Sequence, residues 1–420
     1  MAPYARAEVL ERAADLVGRE RESLAVMVAI ELGKPLRDSL GEMDRAAETL
    51  AVAALHARQL SGELLPAEGW QRGAGTTALT FRAPIGTVLA ITPFNAPVNL
   101  LAHKIAASFA AGNGTIVKPP PQAPAVSSRF AELMLEAGLP EEGLQVLHGG
   151  ASVGAALAAS DAVNAVAFTG SASAGAAVAS TAGPKRTVLE LGGNAATIVC
   201  ADTDVAAAAR LCAATGYSNS GQSCISVQRV YVERAVYDQF AERFTEAVST
   251  LRVGDPLDRD TDVGCMVDAQ AATRVEGWIQ EAVDAGATLF AGGGRTGAVL
   301  EPTLLGAPPS DAKVLVEEVF GDLVSIVPVD DFETALDLVN STPYGLQSGL
   351  FTYDVRRVFA AARELEVGAV IVNGTSNYRL DHIPFGGVKD SGIGRESPRW
   401  LIEDFSTVKT LVFRDFSLWS

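Results

Sequence analysis

The chain has 420 residues, 48% hydrophobic and 20% charged, with a net charge of −17. That length accommodates more than one domain with a sizeable core, and the composition is that of a globular protein. There is no basic block, so nucleic acid and anionic membrane surfaces are poor partners.

The N-terminus has no basic-then-apolar leader, and no uncharged apolar run reaches the ~20 residues needed to span a bilayer. Cys200, Cys212, Cys224 and Cys265 form no C-x-x-C pair and few histidines accompany them. That pattern predicts no metal site and a reducing, cytoplasmic setting.

Over residues 5–58 apolar side chains recur three and four apart (Val9, Leu10, Ala13, Leu16, Val17), which predicts helix. Gly33-Lys34-Pro35 divides it into two. Residues 60–82 combine turn residues with Thr- and Phe-rich alternation and predict a β-hairpin. Strands are then expected at 85–92, 114–118, 144–147 and 165–169, and helices at 98–111, 123–137, 152–159 and 174–180. This alternation predicts an α/β fold with a doubly wound, largely parallel sheet. A second alternating set runs over 190–372, and T-V-K-T-L-V-F-R-D-F near the C-terminus reads as a further strand.

Several short stretches carry chemistry. Cys224 sits in S-N-S-G-Q-S-C-I-S, among residues too small to bury it. Either this is a tight turn that contains sulfur, or a nucleophile presented on a loop. F-T-G-S-A-S-A-G (168–175) follows a strand and opens a helix, where glycine and N-terminal amides can meet a pyrophosphate. The same stretch also reads as ordinary turn chemistry. Lys118 ends a strand, where parallel sheets bind ligands, or is a solvated strand end. Glu190, in L-E-L-G-G-N, is a candidate base of raised pKa or a salt-bridged turn residue. Asn95 ends T-P-F-N, where its amide can face an oxyanion or merely close a turn.

The order of these motifs resembles that of the NAD(P)-dependent aldehyde dehydrogenases. The matching stretches are T-P-F-N (92–95), V-K-P (117–119), F-T-G-S-x-x-x-G (168–175), E-L-G-G-N (190–194), G-Q-S-C (221–224), E-x-F-G (318–321) and P-F-G-G-V-K-D-S-G-I-G-R-E (384–396). A-H-K-I-A (102–106) and D-H-I-P-F-G-G-V-K resemble the branch acting on small polar or anionic aldehydes, which includes lactaldehyde, non-phosphorylating glyceraldehyde-phosphate and phosphonoacetaldehyde dehydrogenases.

The resemblance implies a Rossmann-type cofactor domain (1–59 and 83–189), an α/β catalytic domain (190–395) and a β oligomerisation arm (60–82 and 405–420). It implies Cys224 as nucleophile, Asn95 with the Cys224 amide as oxyanion donors, and Glu190 as the base that activates water on a thioester. Thr92, Pro93, Phe94, Lys118, Gly170, Ser171, Gly175, Leu191, Gly192, Glu318 and Phe320 are the implied NAD or NADP contacts, with Gly192 and Gly193 allowing a tight turn. A small aldehyde is the implied substrate, and a homodimer or homotetramer the implied assembly.

Two departures matter. Many members carry Glu where this chain has Pro121, and losing that carboxylate makes NADP tolerable. Relatives using phosphorylated or phosphonate aldehydes often carry Arg before the nucleophile, where this chain has Ser223. Arg379, His103 and His382 remain as candidate substrate contacts. The alternatives are a phosphonate or phosphorylated aldehyde dehydrogenase, and a catalytically inactive structural or ligand-binding relative.

Overall fold

The computed structural model describes residues 1–416 and residue 418, so the very end of the expected arm lies outside the described residues. Three helices open the chain, α1 (Pro3–Arg19), α2 (Arg21–Leu32) and α3 (Leu36–Arg58), where two were expected. Gly33 closes α2 in the left-handed region and Pro35 precedes α3, as the punctuation indicates. The extra break at Glu20 has no proline, and its nearest glycine is Gly18 in the last turn of α1. It is stabilised from outside, by the Glu20 carboxylate pairing with Arg129.

Next come β1 (Leu64–Leu65), β2 (Thr76–Pro84), β3 (Thr87–Ile91), α4 (Pro97–Ala111), β4 (Gly114–Lys118), α5 (Pro124–Glu136), β5 (Leu144–Val146), α6 (Ala151–Ala159), β6 (Ala165–Thr169), α7 (Ala172–Ala182) and β7 (Arg186–Glu190). The first large sheet has the order β7-β6-β3-β4-β5, all parallel, with Gly392–Ile393 added antiparallel on β7. Chain order reverses between β3 and β6, and such a switch point opens a crevice at the carboxyl ends of the strands. Every residue of α4 is buried. Its interior position carries His103 and Lys104 into the protein.

Five residues after β7 the chain enters β8 (Ala196–Val199), followed by α8 (Val205–Gly216), β9 (Arg229–Glu233), α9 (Arg234–Ser249) and α10 (Ala269–Asp284). The second sheet places β8 and β9 between Leu323–Val329 and Gln347–Phe351, with Thr303–Gly306 and Ala369–Val372 farther out, all parallel. An antiparallel strand, Thr288–Ala291, completes one edge. The carboxyl ends of the first sheet therefore face the amino ends of the second.

The hairpin forms, with Leu64 opposite Leu79, and Ser406–Arg414 pairs with β2 over its whole length. No helix among the described residues is long and apolar enough to cross a membrane.

Candidate active site

Asn95 follows the carboxyl end of β3 and stands next to Ala96, the N-cap of α4, whose first residue is Pro97. Its Nδ2 donates to the Gln222 carbonyl at 3.0 Å. A carbonyl acceptor requires an N–H there, so the amide orientation is determined, and the second N–H remains for a ligand.

The cysteine loop leaves α8 at Gly216 and turns through three consecutive left-handed residues, Asn219, Ser220 and Gly221 (φ 51°, 54° and 65°). Only glycine fits at 221, because a Cβ there would lie 2.0 Å from the Gly321 carbonyl oxygen. Gln222 anchors the loop by accepting from the Val267 amide at 2.7 Å. Cys224 then lines two cavities, of about 290 and 310 Å³, whose walls both also include Asn95, Arg379 and Phe385. The thiol thus stands between two openings. Burial, with the Glu318 carboxylate next in weight, pushes the thiol up to about 12, against the pull of Arg379. The resting group is the thiol, and attack requires its deprotonation.

Glu190 ends β7 and is 3% exposed, with no partner for either oxygen among the described residues. Burial raises its pKa well above the ordinary carboxylate range, and the nearby Glu396 anion raises it further. Glu396 goes the other way. Burial opposes its ionisation, but Lys104 and Arg379 outweigh that and hold it below the usual range. The two carboxylates of one site are thereby pushed apart, Glu190 upward and Glu396 downward, the pattern that separates acid–base roles.

The larger network continues outward. Arg379 Nη2 donates to Glu396 at 2.9 Å, lies 2.9 Å from His103 Nε2, and its guanidinium stacks 4.1 Å from the Phe385 ring centroid. Asp381 takes two bonds from Arg45, at 2.8 and 2.9 Å, and lies 2.9 Å from His103 Nε2. Burial keeps His103 neutral.

The first cavity opens onto the switch point. Pro93, Phe94, Gly170, Ser171, Leu191, Gly192, Glu318 and Phe320 all line it. Gly192 and Gly193 are not needed for a left-handed turn, since neither has positive φ. They are needed for space: a Cβ would lie 2.3 Å from Glu318 Oε2 at 192 and 2.5 Å from the Cys224 carbonyl oxygen at 193. Glu318 accepts from the Gly193 amide at 3.0 Å, and burial raises its pKa to about 7. Phe320, itself left-handed (φ 49°), meets Phe94 edge to face at 5.9 Å. Ser171 caps α7 by accepting from Ala174 N. The first amides of that helix have no intrahelical acceptors and point to the crevice mouth. These residues fit a dinucleotide: a helix end for the pyrophosphate, a carboxylate for ribose hydroxyls, and an apolar slot beside Cys224.

Thr92, Lys118 and Gly175 stand behind this wall. Thr92 Oγ1 is buried without a partner among the described residues, Lys118 ends β4 one strand over, and Gly175 leaves room for Leu191, 2.3 Å from where its Cβ would be. The second cavity is lined by Arg45, Asn99, Ser223, Asn377, Tyr378 and Arg379, with no Asp or Glu. His103 is packed beneath it. His382 is 3.6 Å from Glu48, half-exposed, and lines neither cavity.

Sequence reasoning missed Arg45, Asn219, Asp381, Lys104 and Glu396. All but Arg45 lay inside stretches already singled out, Asn219 in S-N-S-G-Q-S-C-I-S, Asp381 in D-H-I-P-F-G-G-V-K, Lys104 in A-H-K-I-A and Glu396 in G-R-E, but no local feature shows that Lys104 and Glu396 meet at 2.6 Å.

The chain matches the model of the aldehyde dehydrogenase family over residues 1–411. It is 45% identical to a 3-sulfolactaldehyde dehydrogenase of Priestia aryabhattai over 411 residues, 98% of this chain and 86% of that protein. It superposes on aldehyde dehydrogenase 21 of Physcomitrella patens, solved with the reaction product succinate, at a TM-score of 0.97 and 36% identity, covering 100% of this chain and 87% of that one. A glyceraldehyde-3-phosphate dehydrogenase of Methanocaldococcus jannaschii complexed with NADP gives 0.95 and 35%, covering 99% and 90%. Family match, fold and the arrangement around Cys224 agree, and the chain belongs to the aldehyde dehydrogenase family.

Proposed function

We propose that this enzyme oxidises a small anionic aldehyde to its carboxylate through Cys224. The Cys224 thiol gives its proton to water in the cavity, the thiolate sulfur bonds to the carbonyl carbon, and the resulting oxyanion accepts from the free N–H of Asn95 and from the Cys224 amide. A bound nicotinamide dinucleotide is the hydride acceptor. Loss of hydride leaves a thioester on Cys224. Glu190 takes a proton from water, which attacks the acyl carbon and breaks the C–S bond.

The observation that carries the anionic substrate is the second cavity, beside Cys224: its wall includes Arg45 and Arg379 and no carboxylate, and although Asp381 holds Arg45 and Glu396 holds Arg379, each guanidinium keeps further N–H groups that these contacts do not use. Guanidinium is the natural bidentate partner of carboxylate and sulfonate. The relatives named for sulfolactaldehyde and for a succinate complex support the same reading. Ser223, in place of Arg, counts against phosphorylated substrates. The test is kcat/KM for 3-sulfolactaldehyde and succinate semialdehyde against length-matched uncharged aldehydes. A preference of about tenfold or more for the anions is expected, reduced in Arg45→Met. Equal values overturn the reading.

NADP is accepted alongside NAD in this proposal, because Pro121 offers no carboxylate to repel a 2′-phosphate. The expected kcat/KM ratio between the two lies within about a hundredfold, and Pro121→Glu shifts it toward NAD.

We also propose assembly through the three-stranded sheet. Phe81, Val408, Leu411, Val412 and Phe413 are 40–57% exposed on it, a large apolar surface for a monomer. Val408→Asp with Val412→Asp, on one face, shifts the light-scattering mass toward monomer. A wild type that is monomeric at micromolar concentration removes the proposal.

A further inference from the structure

Asn219 occupies an unusual position. Its backbone is left-handed, a conformation that asparagine tolerates better than most residues. Its Nδ2 donates at 3.2 Å to the Asn95 carbonyl and at 3.2 Å to the Gln222 carbonyl. The two N–H groups of one carboxamide therefore join the chain at the end of β3 to the chain two residues before Cys224. The Gln222 carbonyl is the same oxygen that holds Asn95 Nδ2.

Both ends of this staple are braced from the start of α3. Asp38 accepts from the Asn219 amide at 2.7 Å. Lys34, buried and paired with Glu42 at 2.6 Å, donates to the Asn95 carbonyl at 3.1 Å. The other Glu42 oxygen accepts from the Val98 and Asn99 amides at 2.8 and 3.1 Å, which fixes the first turn of α4. Helix α3 thus grips the segments carrying both oxyanion donors.

We propose that Asn219 is a positioning residue for the oxyanion site: it holds the Asn95 amide in register with the Cys224 loop. This rests on the assignment of Asn95 as oxyanion donor, and it predicts that Asn219 acts through Asn95.

The test measures pre-steady-state formation of reduced cofactor with succinate semialdehyde and saturating NAD(P)⁺. The variants are Asn219→Asp, Asn95→Ala and their combination. Asp keeps the shape and the tolerance of left-handed backbone but has no N–H to donate. Asn219→Gly, which also suits that backbone, is the second variant should the new charge prevent folding. Either Asn219 change should slow the burst on the order of tenfold to a hundredfold, with cofactor affinity unchanged. In the Asn95→Ala background it should slow nothing further. Equal slowing in both backgrounds, or a wild-type burst rate in both Asn219 variants, overturns the proposal. An Asn95→Ala burst at wild-type rate overturns the underlying oxyanion assignment instead.

Discussion

The Lys104 ammonium lies 2.6 Å from Glu396 Oε2, with both side chains almost fully buried. Lys104 also donates to Thr169 Oγ1 at 2.6 Å, at the head of the turn that leads into α7. This pair keeps Glu396 anionic beside Glu190, and that anion helps Glu190 retain its proton.

Replacing Glu396 by Gln removes a negative charge and leaves Lys104 and Arg379 behind. Both changes favour ionised Glu190, so its pKa must fall. The acid limb of thioester hydrolysis, followed after acylation by p-nitrophenyl acetate, should move to lower pH. A limb that stays in place or moves up contradicts the coupling.

Glu190→Gln retains the shape of the side chain but accepts no proton. Reduced cofactor should appear in one burst of about one equivalent per site, followed by turnover slowed by ~10²-fold or more. Normal steady-state turnover would mean that another group activates the water.

Two adjacent glycines should fail differently. Ala at 192 presses on the Glu318 carboxylate, the proposed ribose partner, and should raise the cofactor KM by about tenfold with a smaller change in kcat. Ala at 193 presses on the backbone of Cys224, the proposed nucleophile, and should lower kcat by about a hundredfold. Steady-state kinetics of the pair distinguishes them.

Asp322 is fully buried, and neither of its oxygens has a partner among the described residues. Burial raises its pKa well above the ordinary value. The native state therefore binds the proton more tightly than the unfolded chain, and stability falls as pH rises above the unfolded pKa of about 3.9. Asp322→Asn should raise Tm at pH 8, and the gap should close as the pH approaches 4. Thermal melts across that range decide it, and a lower Tm at pH 8 is the contrary result.

Much of this was legible because the chemistry is local. Thr92–Asn95, Glu190–Asn194 and Gly221–Cys224 are short runs in which small residues, turns and one reactive group stand together. The alternation of apolar strands and helices likewise follows from spacing alone. The helix break at Glu20 did not, since no proline marks it and the contact Glu20 makes, with Arg129, spans more than a hundred residues. The spatial role of Gly192 and Gly193 was also hidden, because a short distance to Glu318 or Cys224 exists only after folding.

The substrate side shows the boundary most clearly. Arg379, His103 and His382 look alike in the sequence as nearby cations. Folding buries the first two in one network with Asp381 and Glu396, and leaves the third beside Glu48 on the surface. Arg45 and Asp381 are 336 residues apart and carry no shared motif. By itself, then, the amino-acid order marked the candidate reacting groups and determined much of the succession of strands and helices, because backbone preference and side-chain chemistry act over a few residues. Only the tertiary structure decided which charges face the cavities and which neutralise one another, because Coulomb energy and desolvation depend on distances in space.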